Sequence, residues 1–213
     1  AMDSEGNLVF IQDLVLRDQN GGFNCSGFAK WIADGLYAPV TGRYLSIASL
    51  KQKHPDLRGN RWSNAHEDDR DPYFGLDWSR NIAVKLVELE THRSEMDREA
   101  ADVRNVLFHD YIEDIGYEVA DIQSLLYTLA LQEPGYFYIG SINTQYGEDP
   151  VLHQHVHLVV LFPYFDERGE FHISLMERNT ENDVDSLISR YREDHIHLVR
   201  IKAQSYFRAA QIE

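Results

Sequence analysis

The sequence contains very little cysteine and few basic residues. Cys25 is the only cysteine among 213 residues, so an intramolecular disulfide is excluded and the redox compartment stays unassigned. Lys and Arg number 20 against 35 Asp and Glu, which gives a formal net charge of -15. Contact with a phosphate backbone requires clustered basic side chains, so we expect no nucleic-acid partner.

Long hydrophobic runs are also absent. No apolar stretch approaches the roughly 20 residues that a transmembrane helix needs, so we expect no membrane span. Hydrophobic residues make up 43% and charged residues 26%, a composition typical of globular proteins. The chain begins with Ala1-Met2, which is typical of a cloning remnant and leaves open whether an export signal or another domain precedes it. We therefore assign no compartment from composition.

The single cysteine lies where a glycine-rich turn meets a predicted helix. Asn20-Gly21-Gly22 precede it, and the apolar residues that follow recur at helical spacing, with a predicted left-handed cap near Gly35 and an end at Pro39 and Gly42. The start of a helix stabilises a thiolate, as a nucleophilic cysteine requires. The alternative is that Cys25 is a small buried hydrophobic residue.

The remaining pattern predicts one α+β domain, residues 1–213, with a helical insertion at about 43–117. This insertion contains predicted helices at about 77–90 and 98–114, and it is either a lid that selects substrates or an extension of the core. Apolar periodicity and turn residues then predict a helix over 119–132, a strand over 136–142, a β-hairpin that turns at 166–169, a helix over 184–191 and a strand over 195–203.

The first hairpin strand carries candidate bases for the cysteine. Alternation along a strand places His153, His155 and His157 on one face. A base of this kind needs a polar partner that orients its ring, and the second hairpin strand can supply one.

The position of the turn favours some orienting partners over others. The midpoint between His155 and Glu177 is residue 166 and that between His155 and Asn179 is residue 167, both in the polar turn. Pairing with His172 would instead turn the chain inside the apolar run 162–165. Turn chemistry therefore favours Glu177 or Asn179 over His172.

These motifs resemble those of the NlpC/P60 cysteine peptidases. Phe23-Asn24-Cys25-Ser26-Gly27-Phe28 is similar to that family's Asp-Cys-Ser-Gly-Phe motif at a helix start. The stretch at 133–138 resembles the beginning of its sheet, and the stretch at 155–161 resembles its His-Val-Gly-Ile-Tyr strand, with His157 in place of the glycine. The resemblance covers roughly residues 20–42 and 119–203.

The resemblance implies a papain-like core in which a nucleophile helix packs on an antiparallel sheet. It implies Cys25 as nucleophile, His155 as base and Glu177 as third member of the triad. Gln19 is a candidate oxyanion donor, because papain-like enzymes place a Gln shortly before the cysteine; its alternative is an exposed loop residue. The implied reaction is amide cleavage through a thioacyl intermediate, without cofactor or metal.

The implied substrate is a peptide or other acyl compound, and a bacterial cell-wall stem peptide fits the family best. A cell-wall substrate would imply a periplasmic or secreted protein. Ester hydrolysis and acyl transfer stay open, because one fold hosts many functions.

Three other functions compete with the thiol hydrolase. His153, His155 and His157, completed by Glu177, could hold a metal ion. The repeated His-x-His-Leu at 155–158 and 195–198 echoes the paired motifs of two-histidine phosphoesterases. The third alternative is a catalytically silent binding module with the same fold.

Overall fold

The structure, a computed structural model, describes residues 1–17, 22–54, 71–148, 151–178 and 180–210. Within these ranges the helices are α1 (Cys25–Thr41), α2 (Ile47–Leu50), α3 (Phe74–Thr91), α4 (Ile122–Gln132) and α5 (Val184–Tyr191). The strands of the same ranges are β1 (Tyr117–Glu118), β2 (Tyr136–Tyr146), β3 (Leu152–Phe165), β4 (Phe171–Glu177), β5 (Thr180–Asn182) and β6 (His195–Lys202).

The described strands form one antiparallel sheet with the order β1-β6-β2-β3-β4-β5. The long strands β2 and β3 are central, and the predicted β-hairpin is the β3–β4 pair, with Gly169 at positive φ in its turn. The fold is therefore a mixture of helices and antiparallel sheet, which confirms the α+β class. Among the described residues, no helix combines the length and apolar character needed to cross a bilayer.

Helices cover both faces of the sheet, and two hydrophobic clusters result. On one face, which we call the α1–α3 face, both helices pack against alternate sheet residues such as Ile139, Leu158 and Val160. On the other, the α4–α5 face, the intervening residues such as Val159 and Leu161 pack against α4 and α5. The alternation of one long apolar strand between two cores explains why β3 is almost continuously hydrophobic after residue 157.

Helix α1 begins at the cysteine, as predicted. The Asn24 side chain caps it by accepting a hydrogen bond from the backbone N–H of Gly27 at 2.7 Å. The predicted cap near Gly35 is wrong, because the helix continues to Thr41 and ends at Gly42, which has φ 72°. Gly35 instead provides room for the ring of Phe207, which a Cβ would approach to 2.3 Å.

The segment predicted as an insertion contributes to the α1–α3 face. Trp78 and Ile82 of α3 are fully buried in the same cluster as α1. The predicted helix over 98–114 is wrong, since its helical part is a single 3₁₀ turn, Arg98–Ala101. The chain there runs beside β6 instead, and the Val103 N–H donates to the Leu198 carbonyl at 2.9 Å, so a tertiary contact overrides local helical preference.

A buried ion pair fastens this segment to α3. Arg80 donates through Nε and Nη2 to both carboxylate oxygens of Asp102, at 3.0 and 2.6 Å, and through Nη2 to Asp114 at 2.7 Å. His197 of β6 lies 3.4 Å from the same Asp102 carboxylate. Burial favours the neutral carboxyl, but His197 and Arg80 outweigh it and hold the pKa of Asp102 well below its ordinary value.

We expect Arg80→Met to destabilise the protein by about 3 kcal/mol, because it leaves a buried carboxylate without its main partner. Lys85→Met on the same helix is the control; its half-exposed pair with Glu88 should contribute less than about 1 kcal/mol. Urea unfolding followed by circular dichroism measures both changes. Equal losses in the two variants would contradict this account of the Arg80 pair.

Candidate active site

His155 and His157 lie on opposite faces of the sheet because β3 contains a β-bulge between them. Asn143 pairs with His155, whereas its neighbour Ile142 pairs with His157, so Val156 is the extra residue. Adjacent residues of β2 face opposite sides, and their partners on β3 therefore do so too. The expectation that the histidines at 153, 155 and 157 share one face is wrong.

His157 forms the central contact of the candidate site. Its Nε2 lies 2.6 Å from Oε1 of Glu177, and both side chains are almost completely buried. The β3–β4 register, continued by one pair, sets Glu177 opposite Val159, on the same face as His157 and diagonal to it. Because an ionised carboxylate only accepts hydrogen bonds, His157 donates through Nε2 and keeps Nδ1 for another partner.

The partner of the His157 ring is Cys25. The thiol is half-buried at the first residue of α1, and it interacts with the His157 imidazole and with the backbone N–H of Leu158. The described β3–β4 pairing begins only at Val160, so this part of β3 is open to the start of α1. Cys25 thus interacts with His157, and His157 in turn contacts Glu177.

These contacts change the protonation of all three groups. Burial pushes the pKa of the Cys25 thiol up, but the His157 ring, the Leu158 N–H and the charge of His157 outweigh it and lower this pKa from 9.0 to about 7. Burial lowers the pKa of His157, while Cys25 and Glu177 raise it more. The pKa of Glu177 is lowered, because hydrogen bonds to Arg190 and His157 outweigh its burial. The arrangement favours a thiolate beside an imidazolium.

His155, the predicted base, is not part of this arrangement. Its ring is buried on the α1–α3 face, where Nδ1 lies 3.0 Å from the Ser141 hydroxyl and Nε2 lies 2.9 Å from the Asn143 amide and 3.0 Å from the Asp114 carbonyl. Burial lowers its pKa to about 3, so the ring stays neutral. His155 is a hydrogen-bonded core residue, and because of the bulge the histidine beside Cys25 is His157, two positions further along β3.

The other predicted site residues have separate outcomes. Gln19 and Asn179 lie outside the described residues. His172 sits by the hairpin turn, where its Nε2 is 3.4 Å from a carboxylate oxygen of Asp166. Cys25 is the first residue of α1, a position whose backbone N–H has no acceptor within the helix.

The histidine-rich strand does not assemble the predicted metal site. With His157 on the opposite face and both ring nitrogens of His155 engaged, the three strand histidines do not converge. Across the described ranges, three ligand atoms come together only at Asp166, Glu170 and His172, in an exposed turn whose backbone N–H groups already bind Asp166.

The two His-x-His motifs do meet, but as core structure. The rings of His155 and His197 lie 6.4 Å apart, and both are buried. The Nε2 of His197 is within 3.3 Å of the Tyr111 hydroxyl and 3.4 Å of the Asp102 carboxylate. A two-histidine phosphoesterase needs ring nitrogens that reach its substrate, and these do not.

Comparisons with other proteins add no assignment. No match was found. This holds for protein-family models, for curated proteins and for solved structures. The site therefore has to be interpreted from its own geometry.

Sequence reasoning missed four residues around Glu177 and His157. They are His157 itself, Asn182 and Arg190, which donate to the Glu177 carboxylate, and Tyr191, whose ring stacks on His157. A signal for His157 was present, since its midpoint with Glu177 is residue 167, inside the polar turn. The two donors lie in β5 and α5, and no local pattern links them to β3.

We expect the rate of Cys25 alkylation by iodoacetamide to rise with pH through an inflection near 7, because the reactive thiolate forms above its pKa. His157→Ala should move the inflection upward, since burial of the thiol would lose its main compensation. His172→Ala is the control and should leave it unchanged. An inflection at or above the ordinary 9.0 in the unaltered protein would show that the contacts do not activate the thiol.

Proposed function

We propose that this protein is a cysteine hydrolase that cleaves an amide bond through a Cys25–His157–Glu177 triad. The observation that supports it best is that a helix-start thiol interacts with an imidazole whose Nε2 lies 2.6 Å from a buried carboxylate. A nucleophile, a base and a group that orients the base are the three components that acyl transfer requires.

In the proposed reaction, the Cys25 thiolate attacks the carbonyl carbon of the substrate and forms a tetrahedral oxyanion. The backbone N–H of Cys25 stabilises the oxyanion as one of its donors. His157 then gives its Nδ1 proton to the leaving amine, and the C–N bond breaks to leave a thioacyl enzyme. The ring next removes a proton from water, whose hydroxide releases the acid and restores the thiolate. Glu177 stabilises the imidazolium in each step in which the ring is protonated.

The arrangement of elements is consistent with a papain-like core, and we include this class in the proposal. The cysteine begins a helix that packs on an antiparallel sheet, and the base lies on a strand of that sheet. The NlpC/P60 resemblance adds the substrate class, an amide of a bacterial cell-wall peptide, and with it a periplasmic or secreted location. Its base moves in our proposal from His155 to His157.

We expect the protein to form an acetyl-enzyme with p-nitrophenyl acetate and to release stem peptides from purified peptidoglycan. Intact-mass spectrometry detects the first and chromatography with mass detection the second. Cys25→Ala should abolish both, and His157→Ala should slow turnover by about 10²–10⁴-fold, the usual contribution of a general base. His172→Ala should retain most activity, and a chelator should have no effect.

The outcomes separate the competing functions. An acetyl-enzyme at Cys25 without peptide release would keep the thiol hydrolase and remove the cell-wall substrate. Activity that survives Cys25→Ala but not a chelator would select a metal enzyme. Absence of both acylation and peptide release, together with slow alkylation of Cys25, would indicate a binding module.

A further inference from the structure

The Glu177 carboxylate is held from two sides. One oxygen, Oε1, accepts from His157. The other, Oε2, accepts from Nδ2 of Asn182 at 2.9 Å and from Nη2 of Arg190 at 2.5 Å. Because Oε2 accepts from two donors, the carboxylate is held in one orientation, in which Oε1 points at His157.

The helix that carries Arg190 also contacts the histidine ring. Tyr191, the last residue of α5, stacks on His157 with ring centroids 6.2 Å apart and an interplanar angle of 24°. The Arg190 guanidinium in turn lies 5.3 Å from the centre of the Tyr191 ring. Leu187 anchors α5 by complete burial, and Asp183 caps its start through the Ser186 N–H at 2.7 Å. The end of α5 is therefore a fixed support for the ring and for its carboxylate.

We propose that Arg190 and Asn182 are positioning residues that fix the Glu177 carboxylate and thereby orient His157 toward Cys25. This inference rests on the proposed function of the same site and extends it from three residues to five. Neither residue is assigned contact with substrate. Both act through one oxygen atom, so their effects should depend on that carboxylate being present.

The chemistry of the two donors differs in a useful way. Arg190 supplies a charge and is half-exposed, so solvent screens part of its attraction and the geometric contribution matters most. Asn182 supplies a neutral donor, so its removal changes orientation without changing charge. A shared response to the loss of either residue would therefore indicate positioning and not a general electrostatic effect.

The pH dependence of Cys25 alkylation tests this without any knowledge of the substrate. We expect Arg190→Ala and Asn182→Ala each to raise the inflection by about half a unit to one unit, which slows alkylation about 3–10-fold below the inflection. Arg192→Ala also removes one positive charge, at an exposed position two residues further along the chain. It should change neither the inflection nor the alkylation rate. Arg190→Lys, which retains a charged donor, should restore part of the rate.

A Glu177→Gln background tests whether Arg190 and Asn182 act through the Glu177 carboxylate. In Glu177→Gln protein, adding Arg190→Ala or Asn182→Ala should slow alkylation no further, because the carboxylate that they position is gone. A merely structural role would lower the melting temperature and leave the inflection in place. The proposal would be overturned if Arg190→Ala and Asn182→Ala each left the inflection of Cys25 alkylation unchanged near 7. It would also be overturned if their effects added fully to that of Glu177→Gln. An inflection near 9 in the unaltered protein would overturn the proposed function as well.

Discussion

The β-bulge at Val156 is the constraint on which both halves of the molecule depend. A strand without it would send His155 and His157 to the same face, and one of them would lose its partners. With it, a single short segment supplies a buried histidine to the α1–α3 face and a catalytic candidate to the α4–α5 face. Bulges are common beside active sites, where they redirect a side chain. Here the redirected side chain is the one that meets both a thiol and a carboxylate.

Histidines on the two faces of the sheet have pKa values that are shifted in opposite directions. On the α1–α3 face burial lowers the pKa of His155 and of His197, although Asp102 partly counteracts this at the latter. On the other face the pKa of His157 is raised, because the carboxylate and the thiol more than offset burial. The balance between burial and charged partners therefore decides which histidine carries a proton near neutral pH. That difference in pKa is the physical reason for assigning a structural role to His155 and the proposed catalytic role to His157.

Much of this fold was predictable from local pattern, and the exceptions have identifiable causes. The helix start at Cys25, the turn at 166–169 and the carboxylate at Glu177 all follow from capping, turn chemistry and apolar periodicity. The position of His157 did not follow, because alternation with a period of two cannot reveal an extra residue in a strand. The predicted helix over 98–114 failed for another reason, since this segment pairs with β6 through contacts that are distant in sequence. Both exceptions are tertiary effects, which no window of neighbouring residues contains.

The half-burial of Cys25 has two opposing effects on the pKa of its thiol. Withdrawal from water disfavours the thiolate, and on its own it would raise the pKa of the thiol and leave the group inert. The same withdrawal strengthens the attraction between the sulfur and His157, because the local dielectric is lower than that of water. The backbone N–H of Leu158 lies before Val160, where the described β3–β4 pairing begins, and it adds a donor whose charge does not change with pH. The balance falls on the side of the thiolate only while His157 keeps its proton, and the Cys25 sulfur and the ionised Glu177 carboxylate both raise the pKa of that ring. The protonation of the cysteine thus depends in part on a carboxylate that acts through His157.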